Sequence, residues 1–181
     1  EGNKIRCQLC PRECLLSEGK KGFCRSREVI NGSLVATAYG KTTSLALDPI
    51  EKKPLYHFHP GSMIVSLGPN SCNLTCKYCQ NWEISQQEFP TRYLAIEDLI
   101  QIIREQRNQQ VAFTYTEPLM WYEYILDFAA QAPDIDIVLV TNAYINQEPW
   151  RNILKVVKAV NIDIKSYRDD FYRELCGGKL E

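Results

Sequence analysis

From Met63 onward the chain alternates short apolar runs with helical stretches, and that order leaves few folds open. Ser62–Leu67, Val111–Thr116, Ile135–Thr141 and Ala159–Lys165 read as strands. Ile96, Leu99, Ile100 and Ile103 recur at helical spacing and predict an amphipathic helix over Ile96–Arg107. A mostly apolar helix is expected after Pro118, and another carries Trp150, Ile153, Leu154 and Val157. Strands that alternate with helices pair in parallel through right-handed crossovers. The expected fold is therefore α/β, an open sheet or partial (β/α) barrel over residues 61–181.

Residues 1–60 read as a small cysteine-rich N-terminal unit. They hold strand-like runs at Ser33–Tyr39 and Thr43–Ala46 and end in the connector Asp48–His57. So few apolar residues make a weak core, and a unit of this size commonly needs a metal staple.

Charge narrows the partners. Lys and Arg number 21 against 22 Asp and Glu, a formal net charge of −1, without the basic excess that binding a phosphate backbone requires. No window approaches the roughly 20 apolar residues of a membrane span, and the start EGNKIRC lacks an apolar signal core. No nucleic acid or membrane partner is expected, and the expected location is cytoplasmic. Because the chain begins at Glu1 instead of Met, a natural start upstream is also expected.

Seven of the eight cysteines fall into two tight groups: Cys7, Cys10, Cys14 and Cys24, then Cys72, Cys76 and Cys79. Short C-x2-C and C-x3-C gaps aim several thiolates at one point, whereas disulfide frameworks spread cysteines along a chain. Three thiolates at C-x3-C-x2-C spacing can bind three irons of a 4Fe-4S cluster and leave the fourth iron open. That iron can chelate the amine and carboxylate of an amino acid such as the methionine part of S-adenosylmethionine (SAM). A zinc site completed by His57 or His59, the two histidines, is the competing reading. For the first four cysteines, structural zinc and an auxiliary 4Fe-4S cluster both remain open. Cys176 has no ligand partner in sequence and reads as a buried or idle thiol.

In α/β barrels functional groups collect on loops at the C-terminal ends of strands. The cysteine loop follows the first strand here, Glu117 the second, Thr141 and Asn142 the third, and Asp163 and Lys165 end the fourth. On that last strand Asn161, Asp163 and Lys165 share one face and Val160, Ile162 and Ile164 the other. A polar face inside such a sheet needs a site to line.

Cys72-x3-Cys76-x2-Cys79 with Tyr78, Gln80-Asn81-Trp82, Thr-Tyr-Thr-Glu117-Pro, Val-Thr141-Asn142 and Asp163-Ile-Lys165 resemble the radical SAM activating-enzyme group, which includes pyruvate formate-lyase activating enzymes. Cys7-x2-Cys10-Pro-Arg-x-Cys14-x9-Cys24 and Pro49-Ile-Glu-Lys-Lys-Pro-Leu-Tyr-His57 look, more narrowly, like the radical SAM enzyme of the AmmeMemoRadiSam system. The resemblance implies a 4Fe-4S cluster on Cys72, Cys76 and Cys79, with Tyr78 at the SAM adenine and Glu117 at the SAM amine. Thr141, Asn142, Asp163 and Lys165 would contact SAM or order its site. It departs from the family where Tyr115 and Thr116 replace two glycines and Ala143 replaces a third. Radical SAM cores usually carry six strand-helix units, so four before Glu181 suggest a truncated barrel or one completed by another chain.

The implied function is reductive cleavage of SAM to a 5′-deoxyadenosyl radical that abstracts hydrogen from a substrate, an oxidoreductase activity. The implied electron donor is a ferredoxin or flavodoxin. The implied substrate is a small molecule or a protein, with Memo-like or AMMECR-domain proteins as partners. A glycyl-radical activating enzyme, a simple electron carrier and a non-catalytic zinc-stapled interaction module are the rival readings.

Overall fold

The computed structural model describes residues 4–107 and 109–180. Two small hairpins open the chain: β1 (Ile5–Arg6) pairs with β2 (Leu15–Leu16), and β3 (Glu28–Ile30) with β4 (Ser33–Val35), both antiparallel. The central sheet has six strands: β5 (Lys41–Pro49), β6 (Met63–Pro69), β7 (Arg92–Tyr93), β8 (Gln110–Phe113), β9 (Asp136–Thr141) and β10 (Ala159–Ile162). Their order across the sheet is β10-β9-β8-β6-β5-β7. The β6-β8, β8-β9 and β9-β10 pairs are parallel and the pairs made by β5 antiparallel, giving an α/β fold with a mostly parallel sheet.

The helices are α1 (Trp82–Gln86), α2 (Ile96–Arg104), α3 (Tyr122–Gln131), α4 (Gln147–Ile153) and α5 (Asp169–Phe171), with a 3-10 turn at Pro118–Trp121 leading into α3. The expected helix over Ile96–Arg107 ends at Arg104, three residues early. It buries Ile96, Leu99 and Ile103 as the spacing requires. The fourth strand, expected to reach Lys165, stops at Ile162. Its neighbour β9 ends at Thr141, so beyond the bond from Asp163 N–H to Thr141 O no ladder partner is left.

Period-two alternation divides the core between the two faces of the sheet. Val65, Leu67, Val111, Phe113, Ile137 and Leu139 face the helices, where Phe113 meets Trp121, Tyr124 and Phe128 edge-on. Ile64, Ala112 and Val138 face the other way and are covered by Ile50 and Leu55 from the connector and by Phe58 just after it. Pairing of β5 with β6 joins residues on both sides of the expected boundary at 60/61, and Cys7, Leu9 and Cys24 pack into the larger core.

At the end of β6, Gly68 lies against the carbonyl of Thr114, where any side chain would collide with backbone. This close approach brings the loop after β6 beside the segment after β8.

Candidate functional site

At the C-terminal ends of the parallel strands the loops surround a cavity of about 600 Å3. Cys72, Cys76, Tyr78 and Cys79 reach it from the loop after β6, and Glu117 from the segment after β8. Thr141 and Asn142 reach it from the end of β9, and Asn161, Asp163 and Lys165 from β10 and beyond. The structure thus brings every residue expected at this rim into one cavity.

The cysteine loop is held from two sides. Thr75 N–H donates to Cys176 O at 2.9 Å and Lys77 N–H to Leu175 O at 2.8 Å, so the segment before Gly177 lies alongside the loop. A Cβ on Gly177 would strike Thr75 Oγ1, and one on Gly178 would sit 2.7 Å from Leu74 Cδ2. Within the loop, Cys79 N–H closes on Cys76 O at 3.1 Å. Burial pushes the Cys72 and Cys76 thiols up to about 12, with the Glu117 charge adding at Cys72 and Cys176 adding at Cys76. A bound cation inverts this logic, because coordination strips the proton from a thiol.

Glu117, expected at the end of the second strand, is only 1% exposed. Its Oε1 accepts from Thr141 Oγ1 at 2.6 Å and from Leu119 N–H at 3.0 Å, and its Oε2 from Asn142 N–H at 2.8 Å. A carboxylate has about four acceptor positions, so these three donors leave one on Oε2 unused. Burial raises its pKa to about 7 against the lowering effect of these donors. Opposite it, Lys165 Nζ donates to Asp163 Oδ2 at 3.0 Å.

Two sets of contacts escaped sequence reasoning. Cys176 is buried, in line with its sequence reading, but its Sγ lies 3.2 Å from Tyr78 Oη and its thiol neighbours that of Cys76. Its distance of 97 positions or more from the cysteine loop left no local signal. On the cavity floor Asp48 accepts from Lys53 Nζ at 2.8 Å, Tyr115 Oη at 2.6 Å and Lys52 Nζ at 3.2 Å. Lys53 lies 4.7 Å from the centre of the Tyr115 ring. Only the charged residues Asp48, Glu51, Lys52 and Lys53 in the connector hinted at this cluster.

His59 bonds Asp136 at the N-terminal end of β9, the opposite end from the cysteine loop, which removes it from a zinc site there. Among the described residues no three His, Cys, Asp or Glu side chains stand close enough to coordinate an ion without moving.

Residues 68–180 match the family described as the Radical SAM superfamily, a span that runs from Gly68 through the whole cavity rim. The chain belongs to the radical SAM superfamily. It is 45% identical over 186 residues to uncharacterized protein MJ0808 of Methanocaldococcus jannaschii, an alignment covering 100% of this chain and 55% of that protein. It is 28% identical over 184 residues to uncharacterized protein MJ0674 of the same organism, covering 96% of this chain and 48% of that protein. The chain therefore spans about half the length of these two relatives.

Radical SAM membership implies a 4Fe-4S cluster and SAM, and the donor set suits both. Three thiols on one loop supply soft ligands for iron. The cavity volume lies in the usual range of roughly 300–1,000 Å3 for small-molecule sites. Its walls offer carboxylates, amides and lysines to a ligand that carries both an ammonium and a carboxylate. No helix among the described residues is long and apolar enough to cross a membrane.

Proposed function

We propose that this chain carries the SAM-cleaving core of a radical SAM enzyme of the AmmeMemoRadiSam type, in which Cys72, Cys76 and Cys79 hold the 4Fe-4S cluster. When bound, the reduced cluster supplies the electron that cleaves SAM to a 5′-deoxyadenosyl radical, which abstracts hydrogen from the substrate. The observation that carries this reading is the convergence of three thiols with Glu117, Thr141, Asn142, Asp163 and Lys165 on one cavity.

In this reading Glu117 orients the SAM ammonium through the free acceptor position of Oε2. Thr141 and Asn142 fix the carboxylate of Glu117, and Lys165, steadied by Asp163, meets the SAM carboxylate. Tyr78 flanks the adenine. The parallel strands are the first units of a (β/α) barrel, residues 61–181, preceded by the cysteine-rich unit of residues 1–60. Cys7, Cys10, Cys14 and Cys24 form a second metal centre, zinc or an auxiliary cluster. The reductant is a ferredoxin or flavodoxin, in the cytoplasm, and Memo-like or AMMECR-domain proteins are the partners. The alternative within the superfamily, a glycyl-radical activating enzyme, differs in its substrate alone.

The test is anaerobic reconstitution with iron and sulfide, followed by SAM addition and measurement of 5′-deoxyadenosine. A brown protein that releases 5′-deoxyadenosine, and loses its SAM-responsive spectrum in Cys72→Ala, Cys76→Ala and Cys79→Ala, is the expected result. A colourless protein that ignores SAM would return the chain to the non-catalytic, zinc-stapled class.

A further inference from the structure

We propose that Cys7, Cys10, Cys14 and Cys24 close around a single zinc ion, that Arg27 Nε–H donates to one of its thiolates, and that the filled site braces the loop carrying Cys72. The bracing rests on the cluster reading above; the zinc site does not.

Two tight turns prepare the site. Cys7 N–H donates to Cys14 O at 2.9 Å and Glu13 N–H to Cys10 O at 3.0 Å, folding the first three cysteines back on themselves. Gly22 N–H donates to Arg27 O at 2.8 Å and Arg25 N–H to Gly22 O at 2.9 Å, which turns Cys24 towards them. All four cysteines line one enclosed cavity of about 10 Å3, together with Arg12 and Arg27. That volume holds about one water-sized particle. A single ion is of that size. The thiols ring this space without three of them yet meeting at a point. Ion binding therefore draws side chains inward on turns that are already formed.

Arg27 is the independent observation. It is 5% exposed, its two terminal nitrogens are held by Glu123 at 2.7 and 2.8 Å, and its Nε is buried with no hydrogen-bond partner. An unpaired buried donor is costly and calls for an acceptor. Zinc with four thiolates carries two negative charges, and a thiolate sulfur of that set is the acceptor this N–H lacks. Groups of this kind orient metal ligands and tune the affinity of the site.

The same unit is tied to the loop on both sides of Cys72. Ser71 Oγ–H donates to Cys24 O at 2.6 Å, Arg12 Nε–H donates to Asn73 O at 2.6 Å, and the Cys10 thiol meets the Asn73 side chain. Arg12 also reaches Gly177 O, beyond Cys176. A site that fixes Cys10 and Cys24 thus fixes Ser71, Asn73 and the thiol between them.

The full chain is to be titrated with Zn2+ and with Co2+ after anaerobic removal of metal. One ion per chain is expected, with Co2+ showing the absorption of a tetrahedral four-thiolate site. Cys10→Ser and Cys24→Ser should abolish that spectrum. Cys72→Ala/Cys76→Ala/Cys79→Ala should retain it, which separates this site from the cluster reading. Arg27→Gln should weaken zinc binding about ten- to a hundredfold, whereas Glu123→Gln, which breaks the ion pair and leaves Nε in place, should weaken it little. Zinc-free protein should then take up several-fold less iron at the Cys72 loop than zinc-loaded protein. Iron and sulfide bound through Cys10 and Cys24, absence of any metal there, or equal losses in the Arg27 and Glu123 variants would overturn the zinc site. Equal iron uptake with and without zinc would overturn the brace.

Discussion

Thr141 Oγ1 donates to Glu117 Oε1 at 2.6 Å, tying the end of β9 to the segment after β8 beneath the cavity. The bond is one of three that hold a carboxylate removed from water, and burial still raises its pKa from 4.5 to about 7. The folded state therefore binds the Glu117 proton more tightly than the unfolded chain does. Stability from this group is complete below pH 4.5 and is lost as pH rises towards 7. At 1.36 kcal/mol per unit, the loss is about 3 kcal/mol. In metal-free protein, the unfolding free energy of wild type relative to Glu117→Gln should fall across pH 4.5 to 7. A difference that stays flat would remove the buried-carboxylate account.

The same substitution tests the role proposed for Glu117 with SAM. Gln removes the charge and keeps the size, and a hydrogen bond to a charged group is worth roughly 1.5–3 kcal/mol. SAM affinity, read from the cluster spectrum, should drop about ten- to a hundredfold. Iron content should not change, because Glu117 is not a ligand. Wild-type affinity in the variant would leave Glu117 as a structural tie between β8 and β9.

Tyr115 and Ala143, two of the residues that stand where the family carries glycine, both have positive φ, 69° and 51°. The glycine-shaped backbone has been kept without the glycine. For a residue with a side chain this left-handed conformation costs roughly 1–2 kcal/mol, partly offset by the smaller entropy of its unfolded state. Ala143→Gly should therefore stabilise the protein by about 0.5–1 kcal/mol in chemical denaturation. At Tyr115 the sign should reverse, because Tyr115→Gly also removes the bond to Asp48.

What was legible in the sequence followed from local pattern. Alternating strands and helices gave the parallel pairing of β6, β8, β9 and β10, since period-two and helical spacing are set by neighbouring residues. The rule that loops at strand ends carry chemistry located Glu117, Thr141, Asn142, Asp163 and Lys165 at one cavity. Strand β5 was underestimated as Thr43–Ala46, because its length depends on antiparallel pairing with β6 across the connector. Cys176, the Asp48 cluster and the ties from Cys10 and Cys24 to the Cys72 loop depend on contacts between distant segments. No window of sequence contains both partners.

Asp48 gives the opposite pH dependence to Glu117. Burial opposes its charge, but Lys53, Tyr115 and Lys52 together hold its pKa well below the usual carboxylate range. Its stabilisation is present above its ordinary value of 3.8 and is lost as pH falls through the lowered folded value. Asp48→Asn leaves Lys53, 2% exposed, without its counter-charge. Breaking a buried pair in this way costs roughly 3–5 kcal/mol. The deficit should be greatest near pH 7 and shrink below pH 4 in urea unfolding. A deficit independent of pH would point to lost packing instead.

Cys76 and Cys176 are neighbours, with Tyr78 Oη beside Cys176 and backbone bonds from Thr75 and Lys77 holding the two segments together. In metal-free protein both thiols are free, so an oxidant such as diamide should join these neighbours. Each thiol loses one hydrogen, and the diazene is reduced to a hydrazine as the disulfide forms. Peptide mapping should then find Cys76 linked to Cys176. Iron uptake should fall several-fold until dithiothreitol restores it, because Cys76 is tied up as a disulfide. Cys176→Ala should resist diamide and still take up iron, since in this reading the cluster needs Cys72, Cys76 and Cys79 alone. Equal sensitivity of wild type and Cys176→Ala would show that oxidation acts within the three-cysteine loop and not through Cys176.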